Sequence, residues 1–135
     1  MALYQGIDIV SIRKFTEFYL RHACATDDIF TEEEIAYCRE YRKPEERFAG
    51  RFAAKEASLK ALGLGFTGSG STGVLKQIEI IRKPSGKPDI HLHGFIKSVS
   101  ERKNINGFNV SISHSGDYAV SVVILTSERA GGGGH

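Results

Sequence analysis

The sequence predicts an α+β domain with the element order β-ααα-ββ-α-ββ and a mostly antiparallel sheet. Residues 30–62 carry helix-start signals and apolar residues at helical spacing, whereas residues 75–125 are dominated by strand-like alternation and turn residues. The chain has 135 residues, 41% of them hydrophobic and 25% charged, which suits one domain with a single core. We assign this domain to residues 1–127. Residues 128–135 end in Gly-Gly-Gly-Gly-His and are expected to be a disordered or appended tail.

The first half of the chain predicts one strand and three helices. Residues 3–10 form an apolar run interrupted by Asp8, which is typical of a strand. Residues 31–34 read Thr-Glu-Glu-Glu, a capping box that starts a helix. Pro44 suits the first turn of the third helix. The predicted helices span residues 12–21, 32–41 and 44–62.

The second half predicts two pairs of strands with a short helix between them. Residues 83–88 contain two prolines and a glycine, which favours a turn. Residues 108–113 alternate strictly between apolar and polar side chains, so one face of that strand should be buried. The predicted strands span residues 75–82, 89–93, 108–113 and 118–125, and the helix spans residues 95–103.

Glu56 and Lys60 lie four residues apart in the third predicted helix and therefore share one face. The alanines around them are small enough to let a large group lie close, and Gly63 suits a helix C-cap. Such a pair often only stabilises a solvated helix, by about 0.2–0.5 kcal/mol. A carboxylate and an ammonium beside a glycine-rich loop also suit a metal and a phosphorylated ligand. Both interpretations stay open on this segment alone.

Asp8 and His114 are the other polar residues with an informative position. An acid inside an apolar run is either bound to a metal, paired, or placed at the strand end to cap a helix starting near Ser11. Asp8 and Glu56 together would supply oxygen ligands to Mg²⁺, which keeps several waters and shares substrate phosphates. His114 lies where a strand meets a turn, as either a polar surface residue or an anion contact. The Lys and Arg residues concentrated at 39–60 are either a solvated face or an anion site.

Composition and motif context disfavour several function classes. A formal net charge of +2 is too small to indicate a general nucleic-acid-binding protein. The sequence has no apolar run of membrane length and no signal peptide, and its two cysteines lack metal-ligand spacing. We therefore expect a cytoplasmic protein that does not enter membranes. Residues 68–73 read Gly-Ser-Gly-Ser-Thr-Gly, but a helix precedes them and a strand follows, the reverse of a dinucleotide-binding fingerprint. His91 and His93 lack an evident third ligand for a transition metal.

Three motifs occur along the chain. Residues 6–10 read Gly-Ile-Asp-Ile-Val, residues 51–57 read Arg-Phe-Ala-Ala-Lys-Glu-Ala, and residues 110–115 read Val-Ser-Ile-Ser-His-Ser. The second motif, which Lys60 and Gly63 extend, is the most specific. Together they resemble the bacterial holo-[acyl-carrier-protein] synthases, the short 4′-phosphopantetheinyl transferases. The resemblance covers nearly the whole chain, and the predicted element order agrees with the fold of that family.

The resemblance implies an enzyme of fatty acid biosynthesis, within lipid metabolism, that moves the 4′-phosphopantetheine arm of coenzyme A onto a serine of apo-acyl carrier protein and releases 3′,5′-ADP. Mg²⁺, or Mn²⁺ in its place, would be held by Asp8 and Glu56. Glu56 would also take the serine proton, and Lys60 would stabilise the phosphates. Phosphoryl transfer needs positioning and charge neutralisation more than a covalent nucleophile, which agrees with these residue types. The coenzyme A contacts that the resemblance implies are Arg47, Arg51, Lys60, Gly63, Gly65 and, at the 3′-phosphate, His114.

The sequence departs from the family in two places. Its segment between Gly65 and Ile78 is longer, with additional Gly and Ser near residues 67–73. Where family members carry an arginine that contacts the acidic carrier, this chain has Lys14, a point charge rather than a bidentate fork, with Arg13 beside it. The family forms homotrimers with active sites between subunits, and the same assembly is expected here. The alternative is a non-catalytic module that binds coenzyme A or a nucleotide in the same cleft.

Overall fold

The computed structural model describes residues 1–64 and 73–128. A long strand opens the chain, three helical segments and one long helix follow, and two strand pairs flanking a short helix complete it. The strands are β1 (Ala2–Ser11), β2 (Ile78–Arg82), β3 (Pro88–Leu92), β4 (Ile105–Ser115) and β5 (Tyr118–Ser127). The helices are α1 (Ile12–Phe15), which continues into a π-helical segment (Thr16–Leu20), α2 (Ala23–Ile29), α3 (Glu32–Arg39), α4 (Pro44–Ala61), a 3₁₀ turn (Leu75–Gln77) and α5 (Gly94–Arg102).

The α+β class and the antiparallel pairing are confirmed. Strands β1, β5 and β4 form a three-stranded sheet in that order, and β2 and β3 form a separate two-stranded sheet. All three strand pairings in the described residues are antiparallel. The capping box is also confirmed, because the Thr31 side chain accepts from the Glu34 N–H while the Glu34 carboxylate accepts from the Thr31 N–H. Pro44 occupies the first turn of α4 as predicted.

Two predicted elements differ from the structure. The predicted helix 12–21 is α-helical for only four residues before the π-helical segment, and α2 follows as an additional helix that the sequence did not indicate. α2 is short and carries two aspartates, which are poor helix formers, so burial of Thr26 and Ile29 rather than propensity stabilises it. The predicted strand 75–82 begins only at Ile78.

The delayed start of β2 has a cause in α4. The Lys55 ammonium donates to the main-chain carbonyls of Leu75 and Ile78, at 3.0 and 2.6 Å. Two carbonyls three residues apart can converge on one donor only if the backbone turns between them, which the 3₁₀ turn achieves. The buried Lys55 therefore determines where this strand begins.

Helix α4 crosses the inner face of the three-stranded sheet. Near its start, Gly50 lies against Ile112 and His114 of β4, and further along Ala57 lies against Gly6 of β1. The seven residues from Gly50 to Ala57 rise about 10 Å, which matches two strand spacings of about 4.8 Å each. The sequence predicted that the small alanines of α4 let a large group lie close to the helix. That group is the sheet itself, since Ala49, Ala53, Ala54 and Ala57 are fully buried.

The hydrophobic core lies between α4 and the sheet. Phe48, Phe52 and Leu59 of α4 are buried there, together with aromatic side chains of the preceding helices. Phe15, Phe30, Phe48 and Phe52 form part of a continuous aromatic cluster with ring centroids 5.0–6.3 Å apart. Over residues 1–64 and 73–128, no helix has the length and apolar character needed to cross a membrane.

Candidate active site

The first motif brings β1 and α4 into backbone contact. A Cβ atom at Gly6 would overlap the Ala57 carbonyl oxygen and would lie 2.8 Å from the Ala61 nitrogen. No side chain fits at Gly6, so the strand and the helix approach as closely as two backbones can. Two residues along from Gly6, Asp8 points to the same inner face of the sheet. The first and second motifs therefore meet, as the site prediction required.

Asp8 pairs with Lys60 of α4. The Lys60 ammonium donates to the Asp8 carboxylate and to the Ile7 carbonyl, each at 3.0 Å. The Asp8 side chain is only 17% exposed, so this contact holds a largely desolvated carboxylate. The helix that starts after β1 is capped instead by Ser11, which removes the capping role considered for Asp8. Within the described chain Lys60 makes no ion pair with Glu56, so the two residues are not the surface pair considered from their spacing.

Glu56 is the most perturbed acid of the site. Burial, followed by the nearby Asp8 charge, raises the pKa of Glu56 to about 7, and Lys60 opposes the shift. Its Oε2 atom is buried and has no hydrogen-bond partner among the described residues. Burial, followed by the nearby Glu56 charge, raises the pKa of Tyr19 as well, and the Tyr19 ring packs on Phe52 with centroids 5.1 Å apart. The aromatic cluster thus contributes to the desolvation of Glu56.

The arrangement fits a divalent cation that takes oxygen ligands. A buried carboxylate oxygen without a partner, next to a second carboxylate, is unfavourable unless a proton or a cation joins them. No group of three or more His, Cys, Asp or Glu side chains suitable for a metal occurs among residues 1–64 and 73–128. Two carboxylates suit Mg²⁺, which binds through one or two protein ligands and completes its shell with water and phosphate oxygens.

A second, basic region lies at the other end of α4. A cavity of about 170 Å³ is lined there by Arg47, Arg51, Arg82 and His114, with Tyr37, Gly86, Pro88 and Ile112. The Nε2 atom of His114 donates to the Glu46 carbonyl at 2.8 Å, which orients the ring. A Cβ atom at Gly50 would lie 3.0 Å from His114 Nε2 and 2.8 Å from Ile112 Cγ2, so Gly50 provides the room for this ring. Three guanidinium groups around one cavity favour the binding of an anion there.

The acidic and basic regions are separated within one chain. Asp8 pairs with Ser121 of β5, which pairs in turn with Ile112 of β4, so two strand spacings of about 5 Å each separate Asp8 from the cavity. Arg51 and Glu56 are five positions apart on α4, which places them about 140° apart around the helix axis. The structure therefore brings Asp8, Glu56 and Lys60 together at one sheet edge, and Arg47, Arg51 and His114 together at the other.

The remaining predicted site residues lie at helix ends. Gly63 has a φ of +75° and follows the end of α4. Its N–H donates to the Lys60 carbonyl, and the N–H of Leu64 donates to the Leu59 carbonyl. This is a Schellman motif, and it confirms the predicted C-cap. Gly65 and the glycine-rich residues 67–72 lie outside the described residues. Arg13 and Lys14 are exposed at α1, and Arg13 contacts Glu17 at 3.5 Å.

Sequence reasoning missed several residues of the site. Tyr37 and Tyr41 contact the guanidinium groups of the cavity, Arg82 enters it from the end of β2, and Gly50 and Gly6 make the close approaches described above. The two glycines carry a signal, since glycine in a helix or strand interior often marks a close backbone approach. His91 and His93 pair with Asp89 and Glu79, at 3.3 and 3.0 Å.

Known proteins resemble this chain over nearly its whole length. The family model described as the 4′-phosphopantetheinyl transferase superfamily matches residues 5–123. A holo-[acyl-carrier-protein] synthase of Clostridium kluyveri is 39% identical over 92% of this chain and 90% of its own length. The structure of a Chronobacterium ammoniagenes ACPS–CoA complex has a TM-score of 0.81 at 28% identity, covering 96% of this chain and 100% of its own. A Helicobacter pylori holo-[acyl-carrier-protein] synthase in complex with coenzyme A has a TM-score of 0.74 at 32% identity, covering 90% and 99%.

Proposed function

Because the chain belongs to the 4′-phosphopantetheinyl transferase superfamily, we infer that it is a holo-[acyl-carrier-protein] synthase. It transfers the 4′-phosphopantetheine arm of coenzyme A to a serine of apo-acyl carrier protein and releases 3′,5′-ADP. The observation that carries this inference is the buried Glu56 oxygen beside Asp8 and Lys60, which has no hydrogen-bond partner among residues 1–64 and 73–128. A passive coenzyme A-binding module has no need of such an acid pair, which costs stability.

Asp8 and Glu56 are the residues that would hold Mg²⁺. When bound, the ion supplies charge neutralisation at the pyrophosphate. Mn²⁺ prefers the same oxygen ligands and is the alternative metal. A metal at this position would take the place of the proton that Glu56 binds, so metal binding and protonation compete there.

The side chains of the chain itself account for the proton and the leaving group. The serine oxygen of the carrier attacks the β-phosphate of coenzyme A, a new P–O bond forms, and the bond to the 3′,5′-ADP phosphate breaks. Glu56 would take the serine proton, since it is the acid beside Asp8 and Lys60 that has no hydrogen-bond partner among the described residues. Lys60, whose side chain is 54% exposed, stabilises the charge that develops on the departing phosphate.

The basic cavity is proposed to bind the 3′,5′-ADP part of coenzyme A. Arg47 and Arg51 would contact its phosphates and His114 the 3′-phosphate. Gly63, which follows the opposite end of α4, would contact coenzyme A near Lys60, and Gly65 is proposed as a further contact. Support comes from the three guanidinium groups and from the absence of any carboxylate within 4.0 Å of Arg47 or Arg51 in the described residues. Arg13 and Lys14 would contact the acidic surface of the carrier, which their exposure permits.

A homotrimer with active sites between subunits is proposed for two reasons. The outer face of the three-stranded sheet exposes five apolar side chains, with exposures of 36–67%: Leu3, Ile7, Ile9, Val122 and Ile124. An apolar patch of this kind marks an interaction surface. The acidic and basic regions also lie at opposite edges of the sheet, so two neighbouring subunits would each contribute one region to a site.

The free thiols of Cys24 and Cys38 agree with the proposed cytoplasmic location.

The direct test is mass spectrometry of apo-acyl carrier protein incubated with the protein, coenzyme A and Mg²⁺. The carrier should gain one phosphopantetheine arm, 3′,5′-ADP should appear in equal amount, and a carrier whose acceptor serine is replaced by alanine should stay unmodified. Tight coenzyme A binding in calorimetry without any modified carrier would favour the non-catalytic module instead.

The metal assignment is tested with Asp8→Asn and Glu56→Gln. Both variants should lose transfer activity while their circular dichroism spectra match that of the native protein. Calorimetric titration with Mg²⁺ in the presence of coenzyme A should show weakened metal binding in each. Metal binding at native strength in both variants would contradict the assignment of these two ligands.

A further inference from the structure

Two tyrosines of the α3 region lie against the two arginines of the basic cavity. The Arg51 guanidinium carbon is 4.0 Å from the Tyr37 ring centroid, and the Arg47 guanidinium carbon is 4.1 Å from that of Tyr41. These distances are those of a cation stacked on an aromatic face. The two arginines are four residues apart on α4. The two tyrosines are also four residues apart, with Tyr37 on α3 and Tyr41 just beyond its end. The four side chains form two neighbouring arginine–tyrosine stacks.

The two tyrosines are braced against each other. Their hydroxyl groups share a hydrogen bond of 2.8 Å, and their rings meet edge to face with centroids 5.0 Å apart. α3 itself is fixed to α4, because Glu34 in its first turn accepts from the buried Lys55 ammonium at 2.8 Å. The rings therefore present firm surfaces to the guanidinium groups.

Stacking leaves the guanidinium edges available. Among the described residues, neither Arg47 nor Arg51 has a carboxylate within 4.0 Å, although Arg51 is only 5% exposed and its Nε atom has no hydrogen-bond partner. A buried cation of this kind needs a compensating contact, which the ring face supplies without using an N–H group. Burial and the bond with Tyr41 raise the pKa of Tyr37, so this phenol stays neutral at pH 7 and leaves the positive charge intact.

We propose that Tyr37 is a positioning residue for the transfer reaction: its ring holds Arg51 edge-on to a phosphate of the 3′,5′-ADP part of coenzyme A, and Tyr41 does the same for Arg47. The inference rests on the proposed role of the basic cavity. An arginine binds phosphate through two parallel N–H groups, so its plane must be oriented before the ligand arrives. The stacked ring provides that orientation, and removing it costs affinity rather than chemistry.

The test compares Tyr37→Leu with Tyr37→Phe, which keeps the ring and loses only the hydroxyl group. Tyr37→Leu should raise the KM for coenzyme A about three- to tenfold with less than a twofold change in kcat, and should weaken calorimetric binding of 3′,5′-ADP by about the same factor. Tyr37→Phe should recover most of the lost affinity. Melting temperatures identify any variant that has lost its fold, and equal losses in the Leu and Phe variants would overturn the proposal.

A double-mutant cycle separates positioning from a general structural effect. In an Arg51→Ala background, Tyr37→Leu should raise the KM by less than about twofold further, because the group that it positions is absent. Independent, additive effects of the two changes would overturn the role of Tyr37 while leaving the cavity assignment standing. The more exposed pair, Tyr41→Leu with Arg47→Ala, gives the same readout if the first pair does not fold. Unchanged 3′,5′-ADP binding in both arginine variants would instead refute the cavity assignment, and the inference with it.

Discussion

Replacing Glu56 by glutamine should stabilise the metal-free protein while it removes activity. The folded-state pKa of Glu56 is about 7, above its ordinary value of 4.5, so the folded protein binds this proton more tightly than the unfolded chain does. The stabilising contribution of the proton is complete below about pH 4.5 and is lost as the pH rises through about 7. At pH 8 the native protein therefore holds an ionised, partly desolvated carboxylate beside Asp8. Glutamine has the same shape and no charge.

The size of the effect follows from the pKa shift. At about 1.4 kcal/mol per pKa unit, the rise from 4.5 to about 7 gives an upper limit of about 3.5 kcal/mol. Because Glu56 is only half-buried, solvent screening reduces this to about 1–2 kcal/mol. For a chain of this length that free energy corresponds to a rise in Tm of about 3–6 °C.

The assay is thermal and urea unfolding of the native protein and Glu56→Gln in a chelating buffer at pH 8 and pH 5. The variant should be more stable at pH 8, and the difference should shrink at pH 5, where Glu56 of the native protein is protonated. Glu101→Gln, at an exposed position of α5, is the matched control and should change stability by less than about 0.5 kcal/mol at either pH. A variant no more stable than the native protein at pH 8 would refute the reasoning.

Three further predictions concern the packing that supports the site. Gly6→Ala places a methyl group against the Ala57 carbonyl, so it should lower the free energy of unfolding in urea by about 1–3 kcal/mol and abolish the transfer activity. The control, Ser113→Ala on the exposed face, should leave both unchanged. A stable, active Gly6→Ala variant would contradict the close approach of β1 and α4. Lys55→Met leaves the buried, charged Glu34 without its partner and should lower the free energy of unfolding by about 3–5 kcal/mol. Adding Glu34→Gln to the same chain should partly restore that stability. If Lys55→Met alone leaves stability unchanged, the pair does not support the fold. Ile7→Asp puts a charge on the exposed apolar face, so light scattering should show the 14.8 kDa monomer instead of about three times that mass. The control, Ile7→Val, should keep the assembly. An unchanged mass for Ile7→Asp would exclude this face as the subunit contact.

The fold was predictable where local signals and tertiary packing agree. The capping box, Pro44 and the Schellman glycine act within a few residues of the chain, so the sequence determines the start of α3 and both ends of α4. α2 and the late start of β2 were not predictable in this way. The first depends on burial of Thr26 and Ile29, and the second on a lysine more than twenty positions away in the chain. Propensity and periodicity carry no information about either contact.

The sequence by itself determined the chemical content of this protein: two acids, a lysine, an arginine and a histidine in three motifs, with Arg47 shortly before the second. Only the tertiary structure decided which of them meet. Asp8 and Lys60 are 52 positions apart and bond at 3.0 Å because Gly6 lets α4 approach β1 without an intervening side chain. The arginines and His114 lie at the opposite sheet edge because α4 crosses the strands instead of running along one of them. Spacing along a helix specifies which residues share a face, whereas the partner of that face is set by packing between segments distant in the chain.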